Sequence, residues 1–324
     1  MRTHTRARLT LALFALIAAT ATARADDAPV PEQIVNVMNK IWGSHPGTRA
    51  NHAKGVVAEA SFQPAEGAAR LSKASLFAGP AVPAIVRFSD STGVPALPDG
   101  SPYANPHGLS VKFDLPGGPM DVVANSLKFF PVSTGEAFLA LLTALSESGP
   151  DAPKPTKADQ FIASHPTVLP AFASAATPAS FARETYNGID AFVFIDKAGN
   201  RQPFRLEFIP AAGAEHLSAE DAAKQSPDFL MTELPARLAK APVVFSLVAH
   251  LANPGDPTKD PAQPWPADRK TVTLGTLTIT KMVDKPDPSL LFLPGNLPDG
   301  IEPSDDPLID TRVQAYAVSF GRRQ

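Results

Sequence analysis

Proline is the feature that most limits what this chain can fold into. The 324 residues include 35 prolines, about twice the average usage near 5%, and they are spread along the whole sequence. Proline lacks a backbone N–H and clashes with the preceding helical turn, so long helices are excluded over most of the chain. The sequence therefore predicts many short elements joined by turns.

Short apolar segments bounded by glycine and proline have the composition of β-strands. They lie at 55–62, 84–88, 109–115, 120–124, 191–195, 202–209, 243–249 and 272–279. Segments of this length and spacing, separated by turn residues, are typical of antiparallel sheets. We therefore expect an α+β fold around one antiparallel sheet that curls into a barrel.

Helices are predicted at three places between the strands. At 31–42, Ile34, Val35, Met38 and Ile41 recur at helical spacing, which indicates a short amphipathic helix. Two further helices are expected from Glu136, after a capping Ser-Thr pair, and from Ser218. The Pro-, Ala- and Ser-rich stretch 147–180 is expected to be an irregular or helical connector.

The first 25 residues have the pattern of a secretory signal. A cationic start is followed by the apolar run 9–20 and by Ala23-Arg24-Ala25, an A-x-A cleavage site. We expect an exported protein, periplasmic in a Gram-negative host, whose residues 26–324 form a single domain without a membrane span. The chain has no cysteine, and its net charge of −3 gives no footprint for nucleic acid.

Near the end of the chain, Arg312 precedes Tyr316 by four residues. In a helix these positions share a face, so a guanidinium would lie beside a phenol oxygen. Ionising a tyrosine at neutral pH costs about 4 kcal/mol, which the arginine and a bound ferric iron can supply together. Tyrosinate is a known haem ligand, although the same spacing also fits a surface helix.

Several longer motifs precede this pair along the chain. They are R-A-N-H-A-K-G at 49–55, V-R-F-S at 86–89, N-P-H-G-L-S-V-K-F at 105–113, D-V-V-A-N-S-L-K-F-F at 121–130, T-K-D-P-A-Q-P-W-P at 258–266 and G-I-E-P-S-D-D at 300–306. Read in this order, with Arg312 and Tyr316 after them, they resemble the core of the haem catalases. Because the chain ends eight residues after Tyr316, it resembles the compact exported branch, the catalase-related peroxidases.

The resemblance implies an eight-stranded antiparallel barrel with flanking helices and a haem, expected to be of b type. His52 would be the distal base, Ser89 would fix its tautomer, and Asn125 would orient peroxide. Tyr316 would bind the iron. Either Phe129 or Phe130 would wall the pocket. From the residues alone, Ser89 also fits a strand end, Asn125 a turn and Phe130 ordinary core packing.

The resemblance also implies cations beside the two haem propionates. Arg49, Arg87 and Arg323 occupy the matching motif positions, and Arg312 would temper the basicity of the tyrosinate. At the chain end, Arg323 equally fits a solvated surface residue. His107 stands where the family has an arginine, and we assign it no catalytic role.

The expected activity is a haem-dependent peroxidase that reduces hydrogen peroxide or organic hydroperoxides. Its partners would be a peroxide and a small-molecule reductant, and catalase activity would be weak or absent. Two alternatives stay open at this point. One is an enzyme that rearranges fatty-acid hydroperoxides, and the other is an exported barrel that binds haem or another apolar ligand without turnover.

Overall fold

The computed structural model describes residues 28–324, so the predicted signal segment lies outside the described residues. The described part contains ten strands and seven α-helices. The strands are β1 (Gly55–Pro64), β2 (Val82–Ser89), β3 (Gly108–Phe113), β4 (Met120–Asn125), β5 (Tyr186–Asn187), β6 (Phe192–Ile195), β7 (Arg201–Pro210), β8 (Val243–Leu251), β9 (Thr271–Met282) and β10 (Ile301–Pro303).

Eight of these strands close into a barrel. The neighbours run β7-β5-β4-β3-β2-β1-β9-β8, and β7 also pairs with β8, which closes the ring. Every pairing in the sheet is antiparallel, and β6 and β10 extend it outward from β7. The predicted eight-stranded antiparallel barrel with flanking helices is confirmed.

Aromatic side chains fill the inside of the barrel. Its largest fully buried residues include Phe62, Phe88, Phe113 and Phe245. The rings of Phe62 and Phe113 meet edge to face, with centroids 5.3 Å apart, an arrangement that aromatic quadrupoles favour. A barrel packed in this way is a rigid core, so a ligand has to bind outside its wall.

The helices lie outside the barrel or in its connections. They are α1 (Val30–Trp42), α2 (Gly135–Ser146), α3 (Lys157–Ser164), α4 (Val168–Ala173), α5 (Ala219–Ala223), α6 (Phe229–Leu238) and α7 (Pro307–Arg322). Within residues 28–324 no helix combines the length and apolarity needed to cross a bilayer. Thr134 caps α2 and Ser218 caps α5 through side-chain acceptors, as their sequences predict.

The helix α7 is held against α1 and α2. Its N-cap, Asp306, accepts the Leu308 N–H at 2.9 Å, and Pro307 occupies the first turn. Proline there has no N–H to leave unpaired and a backbone angle suited to a helix start. The chain thus begins α7 at a fixed point, five residues before Arg312 and nine before Tyr316.

Gly135 lies where the first turn of α2 meets α7. A Cβ there would stand 2.5 Å from Thr311 Cγ2 and 2.6 Å from its Oγ1. We expect Gly135→Ala to lower the free energy of unfolding by about 1–3 kcal/mol, because the β-branched neighbour cannot yield without moving α7. Urea denaturation measures this change.

The matched control is Gly149→Ala, since nothing lies within 4 Å of a Cβ at that position. Its effect on the free energy of unfolding should stay within about 0.5 kcal/mol. Equal stabilities of the two variants would show that α2 and α7 are not in tight contact.

Candidate active site

A cavity lies between the outer face of β2, β3 and β4 and the helices α1, α2 and α7. Its volume is about 1440 Å³ when the open mouth is included. All nine predicted site residues line it, namely Arg49, His52, Arg87, Ser89, Asn125, Phe130, Arg312, Tyr316 and Arg323. The fold thus brings the set together, while the role of each residue stays a prediction.

Strand register builds one wall of the cavity. Ser89 pairs with Gly108, and Gly108 pairs with Asn125, so the three form one row across β2, β3 and β4. Two residues back on the strands, Arg87 and Ser110 form the next row. Because alternate residues of a strand share a face, both rows point to the same cavity.

His52 lies in the loop before β1, on this wall. Its Nδ1 is 3.0 Å from Ser89 Oγ, as the predicted tautomer-fixing contact requires. A Cβ on Gly108 would stand 2.9 Å from Ser89 Oγ and 3.0 Å from His52 Cε1. A larger residue there would therefore press on both partners of this hydrogen bond.

The backbone of His52 is unusual because its φ is 55°. No other non-glycine residue in the described part of the chain has a positive φ. Such angles cost about 1–3 kcal/mol and persist only where neighbours impose them. Arg87 Nη2 donates to the His52 carbonyl at 2.7 Å, and Asn51 Oδ1 accepts the His52 N–H at 2.9 Å. These contacts hold the imidazole toward the cavity.

The electrostatic environment keeps that imidazole uncharged. Burial, and after it the guanidinium groups of Arg87 and Arg49, lowers the pKa of His52 to about 3. The neutral ring has a free lone pair at pH 7, so it can accept a proton from a bound ligand.

Asn125 and Phe130 complete the wall beside His52. The Asn125 Oδ1 atom accepts the Leu127 N–H at 2.9 Å. Asn125 therefore holds a turn and also lines the cavity, so the two predicted positions are compatible. Phe130 packs on Phe138 of α2, with centroids 5.0 Å apart. Phe129, the other candidate, is not a cavity residue.

Tyr316 enters the cavity from α7 and is paired with Arg312. The Arg312 Nη2 and Nε atoms donate to the Tyr316 hydroxyl oxygen at 3.2 and 3.4 Å. The other guanidinium nitrogen, Nη1, donates to the buried carboxylate of Asp190. Burial opposes the charge on Arg312, yet Asp190 and Tyr316 outweigh it and raise the pKa of the guanidinium above its ordinary value.

Three further arginines meet at the rim of the cavity. Arg49 and Arg323 both donate to the Leu290 carbonyl, at 2.9 and 2.7 Å. Burial and then the charge of Arg323 lower the pKa of Arg49 to about 10. No carboxylate in the described residues pairs with these two or with Arg87. Clustered cations without a counter-ion favour an anionic ligand.

This set of residues fits a haem. The cavity offers a phenol oxygen held by a cation, an apolar wall that includes Ile34 and Met38 of α1, and unpaired arginines for two propionates. The Arg323 Nε atom is buried and has no protein partner, so a further acceptor there is needed.

Sequence reasoning missed several residues of this site. Asp190 lies in the loop between β5 and β6, is 122 positions from its partner Arg312, and belongs to no motif. The apolar face of α1 was predicted from its periodicity, but not that Ile34, Val35 and Met38 border the cavity. Leu291 and Phe292 come from an irregular loop that carries no signal.

Comparisons with known proteins agree with this geometry. The family model for catalase matches residues 44–323. A catalase-related peroxidase of Mycolicibacterium paratuberculosis is 37% identical over 301 residues, which cover 90% of this chain and 94% of the relative. One from Synechococcus elongatus is 31% identical over 326 residues, covering 97% and 96%.

Solved catalases share the fold. A fungal catalase superimposes with a TM-score of 0.76 at 18% identity, over 86% of this chain and 60% of that one. Catalase A from Saccharomyces cerevisiae gives 0.76 at 17% identity, over 86% and 62%. The chain thus spans about 60% of these structures, which support the fold alone. The family model and the two peroxidase relatives cover most of its length, and the chain therefore belongs to the catalase family.

Proposed function

We propose that this chain is a haem peroxidase that reduces hydrogen peroxide or an organic hydroperoxide, with electrons from a small-molecule reductant. One observation carries the proposal: a neutral His52 bound to Ser89 and a phenol, Tyr316, bound to Arg312 open onto the same cavity. The two relatives that match almost the whole chain are named catalase-related peroxidases, and that name supports this activity.

Tyr316 and the rim arginines would hold the haem, which supplies the redox-active iron when bound. The phenol oxygen would ligate the metal, and Arg312 would stabilise its anionic form because it already donates to that oxygen. Arg49, Arg87 and Arg323 would pair with the propionates. A b-type haem is expected, since the chain has no cysteine for covalent attachment.

His52 would move the proton in the reaction. When Nδ1–H donates a hydrogen bond to Ser89 Oγ, Nε2 carries the lone pair and can take a proton from the peroxide. The same nitrogen then returns that proton to the departing oxygen, so that water or an alcohol leaves. The NH2 group of Asn125 would orient the peroxide, since its Oδ1 atom is already bound to Leu127.

We also propose that the protein is exported to the periplasm. The signal pattern in the first 25 residues supports this location. Neither a membrane anchor nor an oligomeric state enters the proposal.

Tyr316→Phe should weaken haem retention, because it removes the oxygen ligand and leaves the charge of Arg312 without its phenol partner. We expect haem to dissociate at least about tenfold faster into an excess of apomyoglobin. Tyr103→Phe is the matched control, since that tyrosine is 80% exposed. If both variants retain haem equally, Tyr316 is not the ligand.

His52→Gln should retain haem but lower the rate of peroxide-dependent dye oxidation by about 10²–10⁴-fold, as expected for loss of a general base. His165→Gln is the control, because His165 stacks on Phe161 away from the cavity. Unchanged turnover in a haem-loaded His52→Gln protein would favour a barrel that binds haem without catalysis.

The mouth of the cavity affects which molecule supplies the electrons, a phenolic dye or a second hydrogen peroxide. Phe172 lines the cavity and is 43% exposed, so the cavity reaches solvent at this residue. We infer that donors larger than peroxide enter there. We expect oxidation of a phenolic dye to exceed oxygen release from hydrogen peroxide. An oxygen electrode and dye absorbance measure the two rates, and oxygen release without dye oxidation would reject the expectation.

A further inference from the structure

Asp90 and His107 form a buried pair that the mechanism does not use. Both side chains are 0% exposed, and His107 Nε2 lies 3.4 Å from Asp90 Oδ1. Within the described structure, neither the two carboxyl oxygens of Asp90 nor the two ring nitrogens of His107 have a hydrogen-bond partner. Unpaired buried polar groups are costly, so their retention needs an explanation.

The pair adjoins the wall of the cavity that Ser89, Gly108 and Asn125 form. Ser89 and Gly108 are the last paired residues of β2 and β3, and Asp90 and His107 are the next residue on each chain. His107 also exchanges two hydrogen bonds with Ser126, which follows Asn125, at 3.0 and 2.9 Å. The pair is therefore next to Ser89 and Gly108 along the chain, and it is hydrogen-bonded to the residue after Asn125. Ser89, Gly108 and Asn125 all line the cavity.

The hydrogen-bond donors around Asp90 show which carboxyl holds a proton. Asp99 lies within electrostatic range of Asp90. Asp99 already accepts from Lys54 and from the Leu230 N–H at 2.8 Å, which suits an anion. Asp90 is fully buried and accepts from no donor in the described structure. Burial without a donor disfavours a carboxylate, so the proton is assigned to Asp90.

The titration behaviour of the pair agrees with this assignment. Burial, and after it the neighbouring Asp99, raises the pKa of Asp90 to about 8. Burial lowers the pKa of His107 to about 3. Both groups are therefore neutral at pH 7, and a rise in pH above 8 ionises Asp90.

The titratable and charged groups that face Asp90 come from several elements. They are Lys54 before β1, Arg87 on β2, Asp99 after β2, His107 before β3 and Tyr186 on β5. Of these, Arg87 connects Asp90 to catalysis, because its Nη2 donates to the His52 carbonyl at 2.7 Å. An ionised Asp90 would attract that guanidinium and repel Asp99.

We propose that Asp90 is a positioning residue, a neutral acid that keeps Ser89, Gly108 and Arg87 arranged around His52, and that its ionisation disrupts this arrangement. The proposal rests on the proposed function, since it concerns the same distal histidine. No proton passes from Asp90 to the substrate. Its effect is carried by the contacts of Arg87 and of the β2–β3 row.

The test measures kcat/KM for dye oxidation by the haem-loaded protein as the pH is raised from about 7 to about 10. The rate constant kcat/KM should fall by about tenfold per pH unit above the ionisation of Asp90. Asp90→Asn, a neutral isostere, should remove this loss and raise the ratio of activity at about pH 9.5 to that at about pH 7 by roughly thirtyfold. Asp99→Asn should move the loss to lower pH, because it removes the neighbouring anion.

Glu207→Gln is the matched control, since it makes the same acid-to-amide change in a second His–carboxylate pair, in which Glu207 lies 2.8 Å from His250 on β8. It should leave the alkaline profile unchanged. An alkaline loss that persists in Asp90→Asn, or that does not move in Asp99→Asn, would overturn the proposal.

A second measurement avoids both haem and activity. Infrared difference spectra of the haem-free protein between about pH 7 and pH 10 should show loss of a protonated carboxyl band from Asp90, and Asp90→Asn should lack this component. The smaller loss from Asp306, whose pKa burial raises to about 7, should remain in both proteins. Absence of the band in the unsubstituted protein contradicts the proposal even if Asp90→Asn fails to fold. This readout is also independent of whether Tyr316 binds iron, so the two proposals fail separately.

Discussion

The buried contact of Arg312 with Asp190 and Tyr316 determines where the last helix lies against the barrel. Asp190 belongs to a loop of the sheet and is 2% exposed, while Arg312 and Tyr316 belong to α7. Removing one partner of a buried ion pair typically costs about 3–5 kcal/mol, because the other charge is left without compensation. One guanidinium therefore joins the barrel to α7 and holds the phenol toward the cavity.

Three other arginines of the cavity have no carboxylate partner within residues 28–324, and this has two consequences. Arg49, Arg87 and Arg323 suit an anionic ligand. Arg87 and Arg49 also help to lower the pKa of His52, so the cations that would bind propionates also keep this imidazole neutral. The proposed haem binding and proton transfer would therefore depend on one electrostatic arrangement.

Much of the fold was predictable because its signals are local. The eight short apolar segments named from the sequence each overlap one strand, and the caps Thr134 and Ser218 begin helices as expected. The helix α6 was missed because Pro235 lies inside it and its sequence suggests a break. The strands β5 and β10, of two and three residues, are too short to leave a pattern.

The site was predictable only where motifs carried it. The nine motif residues meet in one cavity, whereas Asp190 gives no sequence signal because its partner is distant along the chain. Arg323 was equally compatible with a solvated surface, and its contact with the Leu290 carbonyl depends on where a loop folds. Such contacts are set by tertiary packing, which periodicity and composition do not encode.

The single row that joins Ser89, Gly108 and Asn125 determines which sequence changes this part of the barrel tolerates. Inserting one residue in β3 would turn its side chains to the opposite face and replace the glycine under the imidazole. Insertions in this part of the barrel are thus far more damaging than substitutions at the mouth. The wall under His52 therefore tolerates a change of side chain at the cavity mouth better than a change of length in β3.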